Sequence, residues 1–458
     1  MRLSTGGTRC AQARNTGSSR QLRSLVLCGL LLLSACGGNE TDPRNAANPT
    51  GTSPIKAGYS DIFGSTEKFA AVSADEGQAA EIGRSILLGG GNAADAAVAM
   101  YFAMAVTLPS AAGLGATGTC IVHDAKSRAA EAFVFGPTAA PGPIKGVSFT
   151  VPSGVRAIAL MQIRHGQARW EFDIAPSEKL ASLGVPVSRA LARDLAAGGA
   201  ALNDEARRTF SRNGTMLGQG DNLVQTDLAA TLSAVRRNGG VDFFQGSFAR
   251  RLSDQVAQLG GSLPVEAQRN AVPATMSPPS AGDGGYRVYV APPPMAGVGA
   301  LAGWNGQPSP STAVPTDSAG FSGFAAIDQK GNAAACSLSM GQLFGTRLMV
   351  PGTGMILGAQ TNDSTAVSPV VIGNPNNGEV RFAGAGGGAA TASYVTGAVA
   401  RAAVDEKLPV QAVLAHNAGR GGYVNAIACP YGIRSGGATC QTGTDPAGFG
   451  AALVATER

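Results

Sequence analysis

Apolar and polar positions follow a helical spacing over much of the first half of the chain. This spacing predicts a helix over residues 74–88, which ends at three glycines. Asn92 is well placed to cap a second helix over 95–106. That segment (AADAAVAMYFAMAV and its flanks) is apolar on nearly every side, so the helix is expected to be buried. Helical patterns also fill most of residues 155–260.

Short apolar runs that are typical of strands lie between and after these helices. They are residues 119–122, 132–135, 286–290, 324–327, 333–338, 369–372 and 380–382. The polar segment DQKGN at 328–332 joins two of them and predicts a hairpin. A glycine-rich turn at 384–388 precedes a helix that ends near Val404. Helices and strands in blocks, rather than in alternation, predict an α+β fold in which helical layers cover packed antiparallel sheets.

The first 35 residues have the composition of an export signal. Residues 1–23 contain five arginines and no acid, and the apolar run that follows at 25–33 is too short to span a bilayer as a helix. The sequence LSACG at 33–37 resembles the bacterial lipobox, which predicts cleavage before Cys36 and lipidation of its thiol.

Removal of residues 1–35 as a lipoprotein signal peptide leaves two parts. Residues 36–68 are polar and form a predicted tether, and residues 69–458 form the folded domain. The expected location is the bacterial cell envelope, with the protein lipid-anchored on the periplasmic face. Gly37 favours the outer membrane.

The leader also accounts for the net charge. The chain has 35 Lys and Arg residues against 30 Asp and Glu residues, and the leader holds five of the arginines. The mature part is therefore neutral, and neither a nucleic acid nor an anionic surface is expected as a partner. The three histidines have no metal-ligand spacing, so no metal or cofactor is expected. The glycines at 384–388 suit either an anion or oxyanion site or a close approach of helix and sheet.

The cysteines of the mature part fall into two kinds of surroundings. Cys429 and Cys440 lie close together in a polar, glycine-rich segment, where an oxidising compartment favours a local disulfide. Cys120 and Cys336 lie in apolar runs and are expected to be buried, inert thiols.

Many short motifs occur in one order along the chain. They are EIGRSILLGGGNAADAAVA (81–99), PSAAGLG (109–115), GVPVSRALA (184–192), GDNLVQTDLAATL (220–232), FFQG (243–246), GG (260–261), GYRVYVAPPP (285–294), DQKGN (328–332), FGT (344–346), PGTG (351–354) and GAGGG (384–388). Together they resemble the γ-glutamyltransferase (glutathione hydrolase) family, and the resemblance covers about residues 69–450.

The resemblance implies an N-terminal nucleophile (Ntn) hydrolase fold, in which two stacked antiparallel sheets lie between helical layers. In that family the precursor cuts itself before a threonine, which opens the second subunit and becomes the nucleophile with its own α-amino group as base. Here the large-subunit part would be about 69–320 and the small-subunit part about 321–458. Gly387 and Gly388 take the family's oxyanion position.

The nucleophile is the position where the sequence departs most from that family. A count back from the DQKGN motif puts the family's nucleophilic threonine on Phe321 and the threonine after it on Ser322. Three possibilities follow. Ser322 is the first residue after a shifted cleavage, or Ser318 or Thr316 serves in a loop with extra residues, or the chain has no nucleophile.

The residues expected to bind substrate match the family in part. Gln360 and Asp363 match the family's glutamine and its amine-binding aspartate, and the family's serine pair falls on Thr365 and Ala366. The segment FVFGPT at 133–138 lacks the arginine with which the family holds the α-carboxylate.

Two classes of function follow from these matches and departures. The first is a self-cleaved amide hydrolase or acyl transferase, with a small γ-glutamyl compound such as glutathione, or a related amide, as its substrate. The second is a catalytically inactive lipoprotein that keeps the scaffold as a binding or structural module.

Overall fold

A computed structural model describes residues 68–282, 285–309, 320–361, 365–387, 391–418 and 422–455. Its strands are β1 (Ala71–Ala74), β2 (Thr117–Asp124), β3 (Ala129–Phe135), β4 (Val185–Pro186), β5 (Ser211–Arg212), β6 (Thr215–Met216), β7 (Asn222–Leu223), β8 (Ala274–Met276), β9 (Ser280–Ala281), β10 (Arg287–Val290), β11 (Phe321–Ile327), β12 (Ala333–Ser339), β13 (Met349–Val350), β14 (Met355–Ile356), β15 (Val370–Gly373), β16 (Val380–Gly387), β17 (Tyr423–Ala428), β18 (Gln441–Thr444) and β19 (Ala451–Val454). Its α-helices are α1 (Gly77–Leu88), α2 (Ala93–Thr107), α3 (Pro109–Ala112), α4 (Gly154–His165), α5 (Trp170–Leu183), α6 (Arg189–Gly198), α7 (Asp204–Phe210), α8 (Thr226–Asn238), α9 (Val241–Gln245), α10 (Ser247–Gln258), α11 (Val265–Asn270), α12 (Gly297–Trp304), α13 (Ala392–Val404) and α14 (Val410–Asn417).

Two antiparallel sheets form the centre of the fold. In the part of the chain that the structure describes, sheet I has seven strands in the order β19-β1-β11-β12-β2-β3-β8. Sheet II has six strands in the order β18-β17-β16-β15-β10-β9. The short strands β4 and β7, β5 and β6, and β13 and β14 pair in separate two-stranded ribbons.

Apolar side chains fill three layers around these sheets. Between the sheets, Ala325 of β11 and Ile121 of β2 belong to the same buried cluster as Ala383 of β16 and Ile427 of β17. Helix α2, all of whose residues are buried, packs on the outer face of sheet I. Helix α13 packs on the outer face of sheet II. The predicted α+β arrangement of two stacked sheets between helical layers is confirmed.

The N-terminal end of the buried helix α2 is capped by nearby side chains. Asn92 accepts hydrogen bonds from the backbone N–H groups of Ala94 and Asp95, and the Asp95 side chain accepts one from the Asn92 N–H, so the predicted cap is a full capping box. The hairpin predicted around 328–332 is also present as β11 and β12, with Ile327 paired to Ala333.

Two boundaries differ from those predicted. Residues 71–74 form strand β1, and helix α1 begins only at Gly77, because β1 pairs with β11 on one side and with β19 on the other. Those partners are distant in sequence, so the local pattern does not reveal them.

The glycines at 384–387 extend strand β16 instead of forming a turn. They allow helix α13 to approach the strand closely, because a Cβ on Gly386 would lie 2.6 Å from Thr396 Oγ1 of that helix.

Both cysteine pairs form disulfides. Cys429 and Cys440 are joined, as predicted. The expectation that Cys120 and Cys336 are free thiols is wrong, although both are fully buried. They stand directly opposite each other on the neighbouring strands β2 and β12, with 4.1 Å between their Cα atoms, so their sulfur atoms meet. Among the residues with described structure, no helix is both long and apolar enough to cross a membrane.

Candidate active site

Ser322 lies at one end of the sandwich, as the second residue of β11, and its side chain is fully buried. Asp75 directly follows β1. Because β1 runs antiparallel beside β11, with Ala74 opposite Phe324, Asp75 comes level with Gly323, the residue next to Ser322. Asn425, in β17 of the other sheet, reaches the same point. The pairing of β1 with β11, and the packing of β17 against them from the other sheet, therefore bring together a hydroxyl, a carboxyl and an amide.

Hydrogen bonds join these three side chains. Ser322 Oγ donates to Asp75 Oδ2 over 3.0 Å, and the Gly323 N–H donates to the same oxygen over 2.8 Å. Asn425 Nδ2 donates to Asp75 Oδ1 over 2.7 Å and to the Gly323 carbonyl over 2.9 Å. The Asp75 carboxylate is thus held by three donors, one of which is the hydroxyl that it would deprotonate.

Burial sets the acidity of Asp75. Desolvation raises the pKa of Asp75 from 3.8 to about 6, and the bonds from Asn425, Gly323 and Ser322 partly offset that rise. A carboxyl group with a pKa near 6 is mostly ionised at neutral pH, yet it is a stronger base than an ordinary aspartate.

Gly387 packs against the backbone of Ser322. A Cβ on Gly387 would lie 2.6 Å from Ser322 Cα and 2.7 Å from Asp75 Oδ2, distances that no side chain tolerates. The structure therefore brings together Ser322 and Gly387, two of the residues singled out in the sequence.

Phe321, the residue before Ser322, fills an apolar pocket and is only 4% exposed. The pocket lies at the ends of strands from both sheets. Phe321 packs there against Val134, Ala291, Met295, Val367 and the partly buried Ala366. We call these five residues the Phe321 pocket.

Charged and aromatic groups line the other side of Phe321. Asp75, Arg193, Tyr423 and Phe321 border a cavity of about 10 Å³, room for about one water molecule. Arg193 donates to Tyr423 Oη over 3.2 Å and forms an ion pair with the buried Asp194 at 3.0 Å. The positive charge of Arg193 also favours the ionised form of Asp75.

Of the other predicted site residues, Gln360 and Thr365 are among the described residues. Gln360 directly follows Ala359, whose backbone N–H donates to the carbonyl of Met340 just after β12. The Oε1 atom of Gln360 is buried without a hydrogen-bond partner. Thr365 directly precedes Ala366 of the Phe321 pocket. Ser318, Thr316, Asp363, Gly388 and Cys36 lie outside the described residues. In the part of the chain with described structure, no group of three or more His, Cys, Asp or Glu side chains is arranged to hold a metal ion.

Asp75, Asn425 and Arg193 are the site residues that the sequence did not reveal. Asp75 was assigned to a helix, and Asn425 lies in a glycine-rich tail whose strand was not predicted. The one available signal was an acidic residue, Asp75, three positions after the apolar run 69–72, but its significance depends on strand pairing.

Comparison with known proteins gives one family and one fold. The profile of the family described as Gamma-glutamyltranspeptidase matches residues 79–306. The Glutathione hydrolase proenzyme of Bacillus subtilis (strain 168) is 33% identical over 240 residues, which cover 48% of this chain and 41% of that protein. The protein of the same name from Escherichia coli (strain K12) is 31% identical over 249 residues, which cover 49% of this chain and 42% of that protein. The matched region therefore spans less than half the length of these relatives.

A solved structure extends the similarity of fold over most of the chain. The cephalosporin acylase from Bacillus halodurans superposes with a TM-score of 0.70 and 19% identity, over 84% of this chain and 96% of that one. The likeness at this identity concerns the fold.

Proposed function

Because the chain belongs to the γ-glutamyltranspeptidase family, we propose that it is an amide hydrolase or acyl transferase that cuts itself between Phe321 and Ser322. Ser322 then acts as its nucleophile. The observation that carries the proposal is the hydrogen bond from Ser322 Oγ to Asp75 Oδ2. A serine hydroxyl is a weak nucleophile until an adjacent base takes its proton. The names of the relatives support a small γ-glutamyl compound, or a related amide, as the substrate.

Self-cleavage needs only groups that are already in contact. Asp75 takes the proton of Ser322 Oγ, and the oxygen attacks the carbonyl carbon of Phe321. The bond from that carbon to the Ser322 nitrogen breaks, and the nitrogen receives the proton. The product is an ester of Phe321 on Ser322 Oγ together with a free α-amino group on Ser322. Water then hydrolyses the ester and leaves Phe321 with a carboxylate.

Turnover repeats the same chemistry on an external amide. Ser322 Oγ attacks the substrate carbonyl, the new α-amino group, whose pKa is about 8, takes the proton, and the amine product leaves. Water or an acceptor amine then releases the acyl group. Gly387 lies against Ser322, which supports the oxyanion position that the resemblance gives this glycine.

The alternative to this proposal is a scaffold that never cuts itself. Ser322 is fully buried, and Phe321 fills the space in front of it. A chain that never cuts itself would keep Phe321 there and bind no substrate at Ser322.

Self-cleavage separates the two functions by experiment. Purified mature protein on a denaturing gel in reducing buffer is expected to give two bands of about 29 and about 14 kDa, for residues 36–321 and 322–458 cut before an N-terminal nucleophile. N-terminal sequencing of the smaller band is expected to start at Ser322.

The control variants test the role of Ser322. Ser322→Ala is expected to stay in one piece, and Ser322→Cys to retain cleavage because a thiol is also a nucleophile. Ser337→Ala removes an equally buried serine from the neighbouring strand β12 and is expected to cleave like the wild type. A wild-type chain that stays intact after prolonged incubation would favour the non-catalytic scaffold.

We further propose that the protein works in the cell envelope, anchored by a lipid on Cys36. The leader supports this, and so do the two disulfides of the folded part, since disulfides persist in oxidising compartments. Cell fractionation checks the anchor: Cys36→Ser is expected to move the protein from the membrane to the soluble fraction. An unchanged distribution would argue against lipidation at Cys36.

A further inference from the structure

We propose that the acyl group of the substrate is apolar and binds in the Phe321 pocket. This inference rests on the self-cleavage proposed above, and it selects a related amide over a γ-glutamyl compound as the substrate.

The chemistry of self-cleavage identifies the pocket. The first product of the cut is an ester in which the acyl group on Ser322 Oγ is residue 321 itself. The intermediate of turnover is also an ester on Ser322 Oγ, and its acyl group is that of the substrate. The two acyl groups occupy equivalent positions relative to Ser322. The surroundings of the Phe321 side chain in the intact chain therefore indicate the surroundings of the substrate's acyl group.

On the side of the Phe321 pocket those surroundings are apolar, and Arg193 on the other side of Phe321 is already paired with Asp194. Val134, Ala291, Met295 and Val367 are all at most 5% exposed and pack with Phe321 in one cluster. When the chain is cut, Phe321 becomes a chain end that a substrate can displace. The space that it leaves has the size of a benzyl group, and its walls are aliphatic and thioether groups.

Two members of this pocket stand where the resemblance implies polar contacts. Val134 belongs to the segment 133–138, which lacks the arginine for the α-carboxylate. Ala366 takes the place of the second serine of the family's pair. A γ-glutamyl group carries a carboxylate and an ammonium group, and burial of such charges without partners is strongly unfavourable. An aryl or alkyl acyl group has no such cost.

A panel of anilides with one leaving group tests this inference. We expect kcat/KM of the cleaved wild-type protein to be at least tenfold higher for phenylacetyl p-nitroanilide than for γ-glutamyl p-nitroanilide, since a pocket without charge partners rejects the charged acyl group. The kcat/KM for hexanoyl p-nitroanilide is also expected to exceed that for γ-glutamyl p-nitroanilide.

Variants of the pocket provide a second readout. Ala366→Arg places a guanidinium at the edge of the pocket, where the residue is only partly buried, and is expected to reverse the preference toward the γ-glutamyl anilide by at least tenfold. Met295→Ala enlarges the pocket. It is therefore expected to raise kcat/KM for the larger naphthylacetyl p-nitroanilide relative to kcat/KM for phenylacetyl p-nitroanilide. Ile163→Arg, at a position 76% exposed on helix α4, is the matched control and is expected to leave the ratios unchanged.

The outcomes distinguish this inference from the function on which it rests. Cleaved protein that prefers the γ-glutamyl anilide, or that turns over none of the anilides, overturns the apolar acyl pocket and leaves self-cleavage standing. A chain that does not cut itself overturns both proposals. Cleaved protein with the phenylacetyl preference, altered by Ala366→Arg and not by Ile163→Arg, supports the pocket.

Discussion

At the scale of single residues, the central group is the Asp75 carboxyl. In the intact chain the nitrogen of Ser322 is part of an amide, so it cannot act as the base that starts self-cleavage. Asp75 is within hydrogen-bond distance of Ser322 Oγ and is oriented by Asn425 and Gly323. Its raised pKa makes it a better proton acceptor than an ordinary aspartate, while it remains ionised at neutral pH.

This assignment predicts a pH dependence of self-cleavage. The pKa of Asp75 is about 6, so below about pH 6 the rate is expected to fall tenfold per pH unit, and above it to level off. Asp75→Asn is expected to lower the rate at least 100-fold and to remove this dependence. The rate is measured on a gel after cell-free synthesis and dilution into buffers from about pH 5 to about pH 8.

Asp445→Asn is the matched control for this measurement. Asp445 is also a buried aspartate whose pKa is raised by desolvation, but it does not contact Ser322. The variant is expected to keep both the rate and the pH profile of the wild type. An Asp75→Asn protein that cleaves at the wild-type rate would mean that another group takes the proton.

At the scale of elements, the contact between helices α2 and α5 buries an unpaired acid. Asp173 of α5 is fully buried, and neither of its carboxyl oxygens has a hydrogen-bond partner. Desolvation, together with the nearby charge of Asp95 in α2, raises the pKa of Asp173 from 3.8 to about 8. The helix pair therefore packs around a neutral carboxyl group at physiological pH.

The raised pKa links this contact to stability. Between about pH 4 and pH 8 the folded protein keeps the Asp173 proton, whereas the unfolded chain loses it, so the wild type loses stability as the pH rises. Asp173→Asn has no proton to lose. Its free energy of unfolding relative to the wild type is expected to increase by up to about 1.4 kcal/mol per pH unit across this window.

Chemical denaturation at several pH values measures this difference. Asp254→Asn changes an exposed aspartate on helix α10 and is the control, with no expected trend relative to the wild type. A difference between Asp173→Asn and the wild type that stays constant with pH would mean that Asp173 is ionised in the folded protein.

The helices and strands also differ in whether they could be predicted from the sequence, and this decided which site residues could be named. Helix α2, its Asn92 cap and the β11–β12 hairpin were predictable, because periodicity, capping and turn residues are local signals. Strand β1 is only four residues long and takes its conformation from β11 and β19, which are far away in sequence. The position of Asp75 depends on that pairing, so a candidate nucleophile could be named from the sequence but its base could not.

At the scale of the whole molecule, the order of motifs predicted the layers correctly. The apolar helix α2 and the apolar strands β11 and β12 together indicate a sandwich that needs helical cover, and the structure has that arrangement. The partner of Cys120 could not be predicted in the same way. Cys336 is 216 residues further along the chain, and only the register between β2 and β12 places the two opposite each other.

That disulfide has a consequence for a chain cut between Phe321 and Ser322. Cys120 belongs to the part before the cut and Cys336 to the part after it, whereas Cys429 and Cys440 both follow it. The two products of one cleaved molecule would therefore stay covalently linked as a heterodimer. They would migrate together without a reducing agent, and neither could dissociate or exchange with another molecule while the compartment remained oxidising.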